Sequence, residues 1–174
     1  MKRLGLLRHA KSSWADSDLS DFDRPLKKRG IKAARAIGEE LRRRDVEFDL
    51  VLASPAQRIV ETVARLEEGY GRSLDSRFER GIYEASALSL WQIIERSSNG
   101  SDSLLLVGHQ PGLQALATMI AARSDPLHRE IRDYFPTAAF AMIGFETDDW
   151  RKIEPGTGRV ELYLTPRALS PKPA

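Results

Sequence analysis

Two histidines directly follow apolar, strand-like runs at separate places in the chain. His9 comes after residues 3–7 and Arg8, and His109 comes after residues 103–108. Arginine donors match the geometry of phosphate oxygens, and a neutral imidazole can attack phosphorus to form a covalent phosphohistidine. We therefore predict that these side chains bind and transfer a phosphoryl group. The second occurrence of the same pattern favours this over the alternative, an ordinary surface Arg–His pair.

Further polar side chains are expected near the two histidines. Arg58 lies in the first turn of a predicted helix, where free backbone N–H groups favour anions, although it could equally be a surface helix residue. Ser54 is predicted to cap that helix, with Pro55 at its first position and Gln57 completing a capping box. Zinc is the rival ligand for the histidines, but the chain has no cysteine and no His-Glu-x-x-His spacing, which argues against it.

Strand and helix patterns alternate along the chain, which predicts an α/β fold. We expect a three-layer sandwich in which helices flank a mostly parallel central sheet, with ligands at the carboxyl ends of its strands. The last two strands are expected to pair antiparallel. The predicted strands are residues 3–7, 48–53, 103–108, 138–145 and 159–165, and the predicted helices are residues 26–44, 55–66, 85–96 and 111–122.

The remaining segments give more local predictions. Residues 13–25 have no helical or strand period and are expected to form a loop that Trp14 and Phe22 pin to the body of the protein. Helical spacing places Leu88 on the inward face of its helix. His128 lies in no repeated context and is interpreted as an ordinary surface histidine.

Composition limits the possible classes of protein. The 174 residues fit a single domain, predicted over residues 1–169, with a flexible tail over residues 170–174. A net charge of +2 is too small to predict nucleic-acid binding. No run is long and apolar enough to span a membrane, and the chain begins with a strand pattern instead of a signal peptide. These features predict a cytoplasmic protein without a nucleic-acid or membrane partner.

Four short motifs carry a resemblance to a known family. They are residues 7–12 (LRHAKS), residues 23–26 (DRPL) with Arg29 and Gly30, residues 54–58 (SPAQR) and residues 107–112 (VGHQPG). Together, and in this order, they resemble the histidine phosphatase superfamily, which is phosphoglycerate mutase-like. The likeness is greatest to its small SixA-type phosphohistidine phosphatase branch. Ala10 departs from the signature, which has Arg-His-Gly, and adds only a methyl group to the turn.

The resemblance implies roles for individual residues. His9 would be the nucleophile, and the phosphoryl oxygens would be bound by Arg8, Arg58 and His109. Lys11 and Ser12 would flank the pocket. Arg24 would line its entrance or, alternatively, anchor the loop to the helix that follows.

Glu84 is a separate case. It stands where larger relatives place an acid that protonates the leaving group, but the Gly-rich sequence that normally follows is missing, so a plain surface carboxylate is the alternative. A general acid is less needed when a P–N bond is cleaved, because a protonated imidazole is already a good leaving group.

The resemblance predicts a metal-independent phosphatase, without a cofactor, that hydrolyses protein phosphohistidine through phospho-His9. Its partner would be a phosphohistidine-bearing protein, such as a phosphorelay or phosphotransfer protein. No large lid insertion lies between Arg58 and His109, so a shallow pocket would admit a phosphorylated protein side chain. The alternatives are a phosphatase for small phosphomonoesters and a non-catalytic phosphate-recognising module.

Overall fold

A six-stranded mixed sheet forms the centre of the computed structural model, which describes residues 1–170. The sheet order is β3-β2-β4-β1-β5-β6, with the first four strands parallel and the last two antiparallel. The strands are β1 (Lys2–Arg8), β2 (Leu50–Ala53), β3 (Arg77–Phe78), β4 (Ser103–Gly108), β5 (Phe140–Phe145) and β6 (Arg159–Leu164). The predicted α/β fold with a mostly parallel sheet is confirmed.

Within residues 1–170, six helices cover the two faces of the sheet. They are α1 (Lys28–Arg43), α2 (Gln57–Tyr70), α3 (Ala87–Ser97), α4 (Gly112–Ile120), α5 (His128–Asp133) and α6 (Pro166–Leu169). Between α2 and β4 the chain forms only β3, a short 3₁₀ turn and α3, so no large lid insertion is present. Among residues 1–170, no helix is of sufficient length and apolarity to cross a membrane.

Successive side chains of the central strands point to opposite faces of the sheet and pack into two separate hydrophobic cores. In β4, Leu104 and Leu106 pack with α3 and α4, whereas Leu105 and Val107 pack with α1 and α2. This period of two, with both faces apolar, is what a parallel strand buried between two helix layers requires. The central strands are therefore fixed from both sides at the point where their polar ends begin.

The two helices α1 and α2 pack through glycines. A Cβ atom at Gly38 would lie 2.1 Å from the carbonyl oxygen of Leu66, and one at Gly69 would lie 2.0 Å from that of Arg35. Any larger residue would push the helices apart. This close approach holds α2, which carries Arg58, firmly on the sheet.

The predicted inward position of Leu88 was wrong. Leu88 is 62 % exposed, because the inward face of α3 consists of Leu90, Ile93 and Ile94. Trp14 is 71 % exposed, and its indole lies over the guanidinium of Arg24, so its expected role in pinning the loop to the body of the protein stays a prediction.

His128 is buried and not a surface residue. It begins α5, a helix that the sequence analysis did not predict, and its Nε2 lies 3.2 Å from the carbonyl oxygen of Thr118 in α4.

The proposed domain boundary at residue 169 stays a prediction. The chain forms one sheet from β1 to β6, and α6 ends at Leu169. Of the predicted flexible tail, only Ser170 is described, and residues 171–174 lie outside the described residues.

Candidate active site

The two strand-end histidines lie side by side because β1 and β4 are parallel neighbours. Arg8 pairs with Gly108 in the strand register, and the backbone N–H of His9 donates to the carbonyl oxygen of Gly108 at 3.2 Å. The ring centroids of His9 and His109 are 5.6 Å apart, and both residues are buried. The structure thus brings together the two residues whose shared pattern motivated the prediction.

Hydrogen bonding fixes the tautomer of His9. Its Nδ1 lies 2.8 Å from the carbonyl oxygen of Ala10. Because a carbonyl can only accept, Nδ1 carries the proton and Nε2 keeps its lone pair. Burial lowers the pKa of His9 to about 4, and the charges of Arg58 and Arg8 act in the same direction. At neutral pH His9 therefore presents a neutral nucleophilic nitrogen.

The opposite tautomer is imposed on His109. Its Nδ1 lies 3.2 Å from Nη2 of Arg58, which can only donate, so Nδ1 accepts. The proton is then on Nε2, which donates to the hydroxyl of Ser54 at 2.7 Å. Burial, together with the charge of Arg58, lowers the pKa of His109 to about 3.

Ser54 does not cap α2, as its place before Pro55 suggested. The helix begins at Gln57, and Ala56 occupies the position before it. The Ser54 N–H instead donates to the carbonyl oxygen of Val107 at 3.1 Å, which extends the pairing of β2 with β4 by one residue. Its hydroxyl consequently lies next to His109 and orients that ring.

Two arginines present buried donors to the same space. Arg58 donates through Nη1 to the carbonyl oxygen of Asp21 at 2.7 Å, and Arg8 donates through Nη1 to that of Phe135 at 3.0 Å. The buried Nε–H of each arginine has no hydrogen-bond partner within residues 1–170. Buried donors are normally satisfied, and the charges of both guanidinium groups act on His9, so the two unpartnered groups suit an oxyanion bound near His9.

Asp21 is a site residue that the sequence analysis missed. Its Oδ2 accepts from the hydroxyl of Tyr83 at 2.6 Å and from Nη2 of Arg58 at 3.1 Å, and its Oδ1 lies 3.0 Å from Nη2 of Arg24. Burial alone would raise its pKa, but the hydrogen bond from Tyr83 and the charge of Arg58 outweigh it and lower the pKa to about 2. Asp21 is thus a fixed anion that orients Arg58.

Tyr83, also missed, forms one wall of the site. Its ring meets that of His109 edge-on at a centroid distance of 5.2 Å, and burial together with the carboxylate of Asp21 raises its pKa to about 12. The phenol therefore stays protonated and keeps donating to Asp21. Phe22, from the predicted loop, also meets the Tyr83 ring edge-on, at a centroid distance of 5.1 Å, which agrees with its expected pinning role.

Arg24 anchors the loop, which is the alternative role that the sequence analysis gave it. The residue is buried, and its guanidinium donates through Nη1 to the hydroxyl of Ser12 at 2.9 Å. The indole of Trp14 covers it, 3.5 Å from the guanidinium carbon to the ring centroid. Arg24 and Ser12 thus hold the loop that supplies Asp21, while Lys11 is exposed on the neighbouring surface.

Glu84 is exposed and lies directly after Tyr83. Its backbone φ is 53°, a left-handed conformation that non-glycine residues rarely adopt and that is often found at functional sites. Its carboxylate makes no hydrogen bond or ion pair within the described part of the chain. Glu84 is therefore next to the site wall and available to a bound molecule.

A family model and several known proteins resemble this chain. The model of the histidine phosphatase superfamily (branch 1) matches residues 4–90. An uncharacterised protein of Mycobacterium tuberculosis is 33 % identical over 164 residues, which is 92 % of this chain and 100 % of that protein.

Two solved structures with similar folds are both provisionally named as the phosphohistidine phosphatase SixA. The one from Nakamurella multipartitia has a TM-score of 0.81 at 26 % identity and covers 95 % of this chain and 96 % of its own. The one from Agrobacterium tumefaciens has a TM-score of 0.77 at 28 % identity, with coverages of 94 % and 97 %.

Proposed function

Because the chain belongs to the histidine phosphatase superfamily, branch 1, and its similarity to the two SixA structures supports a phosphatase activity, we propose that it removes phosphate from protein phosphohistidine. The observation that carries the proposal is the convergence of Arg8 and Arg58, whose charges both act on His9 and whose buried Nε–H groups have no partner within residues 1–170, on a His9 ring that keeps its Nε2 lone pair. These three groups match the needs of a phosphoryl acceptor, which are a nucleophile and fixed donors for oxygens that carry negative charge.

In the first step, Nε2 of His9 attacks phosphorus and forms a P–N bond. The P–N bond of the substrate breaks, and its electron pair goes to the departing ring nitrogen. If that ring is protonated at its other nitrogen, it leaves as neutral imidazole and needs no further proton. The Nδ1–H of phospho-His9 keeps its hydrogen bond to the carbonyl oxygen of Ala10, which stabilises the positive charge of the ring.

In the second step, water attacks phosphorus and the electron pair of the breaking P–N bond returns to Nε2 of His9. The water loses a proton to solvent, and the products are phosphate and the original enzyme. Throughout, the Nε–H groups of Arg8 and Arg58 would hold the phosphoryl oxygens. A bound phosphoryl dianion would also offset the charge of Arg58, so that His109 could take up a proton on Nδ1 and donate to the same oxygens.

Histidine protonation gives a pH prediction. The pKa of His9 in the folded protein, about 4, is below its ordinary value of 6.5, so the neutral nucleophile persists as the pH falls towards 4. We expect ¹⁵N NMR of the free protein to show His9 neutral at pH 5.5, with the acid limb of kcat/KM near pH 4. The His9→Ala variant identifies the resonance. Titration of His9 near pH 6.5 would contradict the assigned environment.

The leaving group decides between the proposal and its ester alternative. An alkoxide needs a proton as it departs, whereas protonated imidazole does not. We expect Glu84→Gln to change turnover of a phosphohistidine peptide less than about threefold. If Glu84 is a surface carboxylate, turnover of p-nitrophenyl phosphate and of an alkyl phosphate should fall by at most a similar factor. If Glu84 is the general acid, turnover of the alkyl phosphate should fall about tenfold or more.

The matched control is Glu154→Gln, an exposed carboxylate outside the site. Better turnover of alkyl phosphates than of phosphohistidine, with strong dependence on Glu84, would replace the proposal by the small-ester phosphatase. Phosphate binding without any phosphoenzyme would replace it by the binding module.

We also propose that the reaction needs no metal ion. The guanidinium groups of Arg8 and Arg58 lie beside both imidazoles, and their charges disfavour a further cation there. Across residues 1–170, no three or more His, Cys, Asp or Glu side chains group closely enough to hold a metal. A cytoplasmic location stays a prediction from the sequence.

A further inference from the structure

A groove of about 860 Å³ lies beside the active site and is lined by basic side chains. We call it the basic groove and define it by its five cations, which are Lys11, Lys28, Arg29, Lys32 and Arg167. They come from the segment just after β1, the first turns of α1 and the start of α6. The other lining residues are apolar or uncharged, and no acidic residue is among them.

The charges of the basic groove are not neutralised by the protein. All five cations are exposed, and none forms an ion pair within residues 1–170. Elsewhere on α1, by contrast, Arg35 pairs with Glu68 and Arg43 pairs with Glu40. Since the whole chain has a net charge of only +2, the positive potential is a local property of this groove.

The basic groove begins where the active site ends. Lys11 lies two residues after His9, and Thr137 of the groove precedes Ala138, whose N–H donates to the carbonyl oxygen of His9 at 3.0 Å. Pro136, also in the groove, follows Phe135, whose carbonyl oxygen holds Arg8. A molecule with its phosphoryl group at His9 would therefore have its adjoining part near the groove.

The groove is also rigid at its base. The carbonyl oxygen of Lys11 accepts from the N–H of Lys27 at 2.9 Å, and a Cβ atom at Gly30 would lie 2.3 Å from that same oxygen. The first turn of α1 is thus locked against the end of β1. Lys27 gives this helix no side-chain cap, so the positive end of its dipole adds to the field of the groove.

We propose that the basic groove binds an acidic segment of the phosphoprotein next to its phosphohistidine; this inference rests on the proposed function. A protein segment fits better than a single inorganic anion, because all five cations are exposed and spread along the groove instead of converging on one buried point. Apolar lining from Ala33, Ala36 and Leu169 would contact the aliphatic parts of such a segment. Acidic residues near the phosphohistidine would then favour a substrate.

The test compares two synthetic phosphohistidine peptides, one flanked by glutamates and the other by glutamines, with free phosphohistidine as the small substrate. We expect the wild-type protein to prefer the glutamate peptide and to lose this preference at high salt. Lys28→Glu combined with Lys32→Glu should lower kcat/KM for the glutamate peptide about tenfold or more, through KM, because opposite charges across an interface guide association. Turnover of free phosphohistidine should stay within about twofold.

The matched control is Arg42→Glu combined with Arg123→Glu, which makes the same change in net charge at exposed positions outside the groove. Equal loss on all three substrates, or no loss on the glutamate peptide, would overturn the groove proposal but not the proposed function, because the wild type would still hydrolyse phosphohistidine. Failure of the proposed function would show differently, as no turnover of any phosphohistidine by the wild type.

Binding provides a readout that does not depend on catalysis. Fluorescence anisotropy of the unphosphorylated glutamate peptide should show weaker binding to the Lys28→Glu, Lys32→Glu variant than to the wild type. An unchanged Kd would overturn the proposal. Groove-dependent binding of anionic lipid vesicles or RNA, with none of the glutamate peptide, would assign the groove to another class of partner and would overturn it as well.

Discussion

Replacing His9 by alanine should lower kcat/KM for a phosphohistidine peptide by at least about 10³-fold, since loss of a nucleophile removes the covalent path altogether. The wild type, mixed with labelled substrate and quenched without acid, should carry label that is stable in alkali and lost in acid, as expected of a phosphohistidine. His9→Ala should carry none. Rapid quench measures the amount of labelled protein, and mass spectrometry of the labelled peptide shows which residue carries the label.

The chain offers a matched control for this experiment. His128 is also a buried histidine, but it packs between α4 and α5, away from the site. His128→Ala should cost stability, measured as a lower Tm, and leave the label on His9. Full activity of His9→Ala, or label that maps to His109 in the wild type, would contradict the mechanism.

Removal of the Arg58 side chain should have the second largest effect. Arg58→Ala deletes the buried donor that we propose binds the phosphoryl group, together with the guanidinium that contacts Nδ1 of His109, so kcat/KM should fall by about 10²- to 10³-fold. It also leaves Asp21 without its Arg58 partner, although Tyr83 and Arg24 still hold that carboxylate. Binding of phosphate or vanadate, measured by calorimetry, should weaken in parallel.

Two further variants test whether Arg58 acts through its positive charge alone or through the arrangement of its donors. Arg58→Lys keeps the positive charge but lacks the forked donors, so it should recover only part of the activity. Arg65→Ala removes an arginine two turns further along α2, one that pairs with Glu68 at the surface, and should retain near wild-type rates. Equal activity of Arg58→Ala and Arg65→Ala would show that Arg58 does not hold the transferred group.

The central part of the site could be predicted because it consists of residues at the ends of strands, which the apolar pattern locates. Residues that end parallel strands must share one edge of the sheet, so the repeated strand-then-histidine pattern was enough to bring His9 and His109 together. The place of Arg58 at the start of a helix after such a strand favoured the site but left a surface helix residue as an equal alternative. The roles given to these residues stay proposals, whereas their proximity is a property of the fold.

Other parts depended on the path of a loop, which local patterns do not encode. Asp21 lies in a stretch without periodicity, and only the folded loop brings it to Arg58 and Tyr83. Its one sequence signal was its position three residues before Arg24, beside the quoted motif at residues 23–26. The predicted cap at Ser54 was wrong for a different reason. Ser-Pro-x-Gln fits a helix cap well, but the pairing of β2 with β4 extends through Ser54, so the helix begins only at Gln57.

The register of Arg8 with Gly108 has a consequence for how the site can fail. Both imidazoles are attached to the backbone ladder of the two innermost strands, which helices cover on both faces. Local fraying at the surface cannot separate them, because their spacing changes only if the sheet itself comes apart. Loss of the reacting pair should therefore be all-or-none and coincide with the cooperative melting of the whole protein.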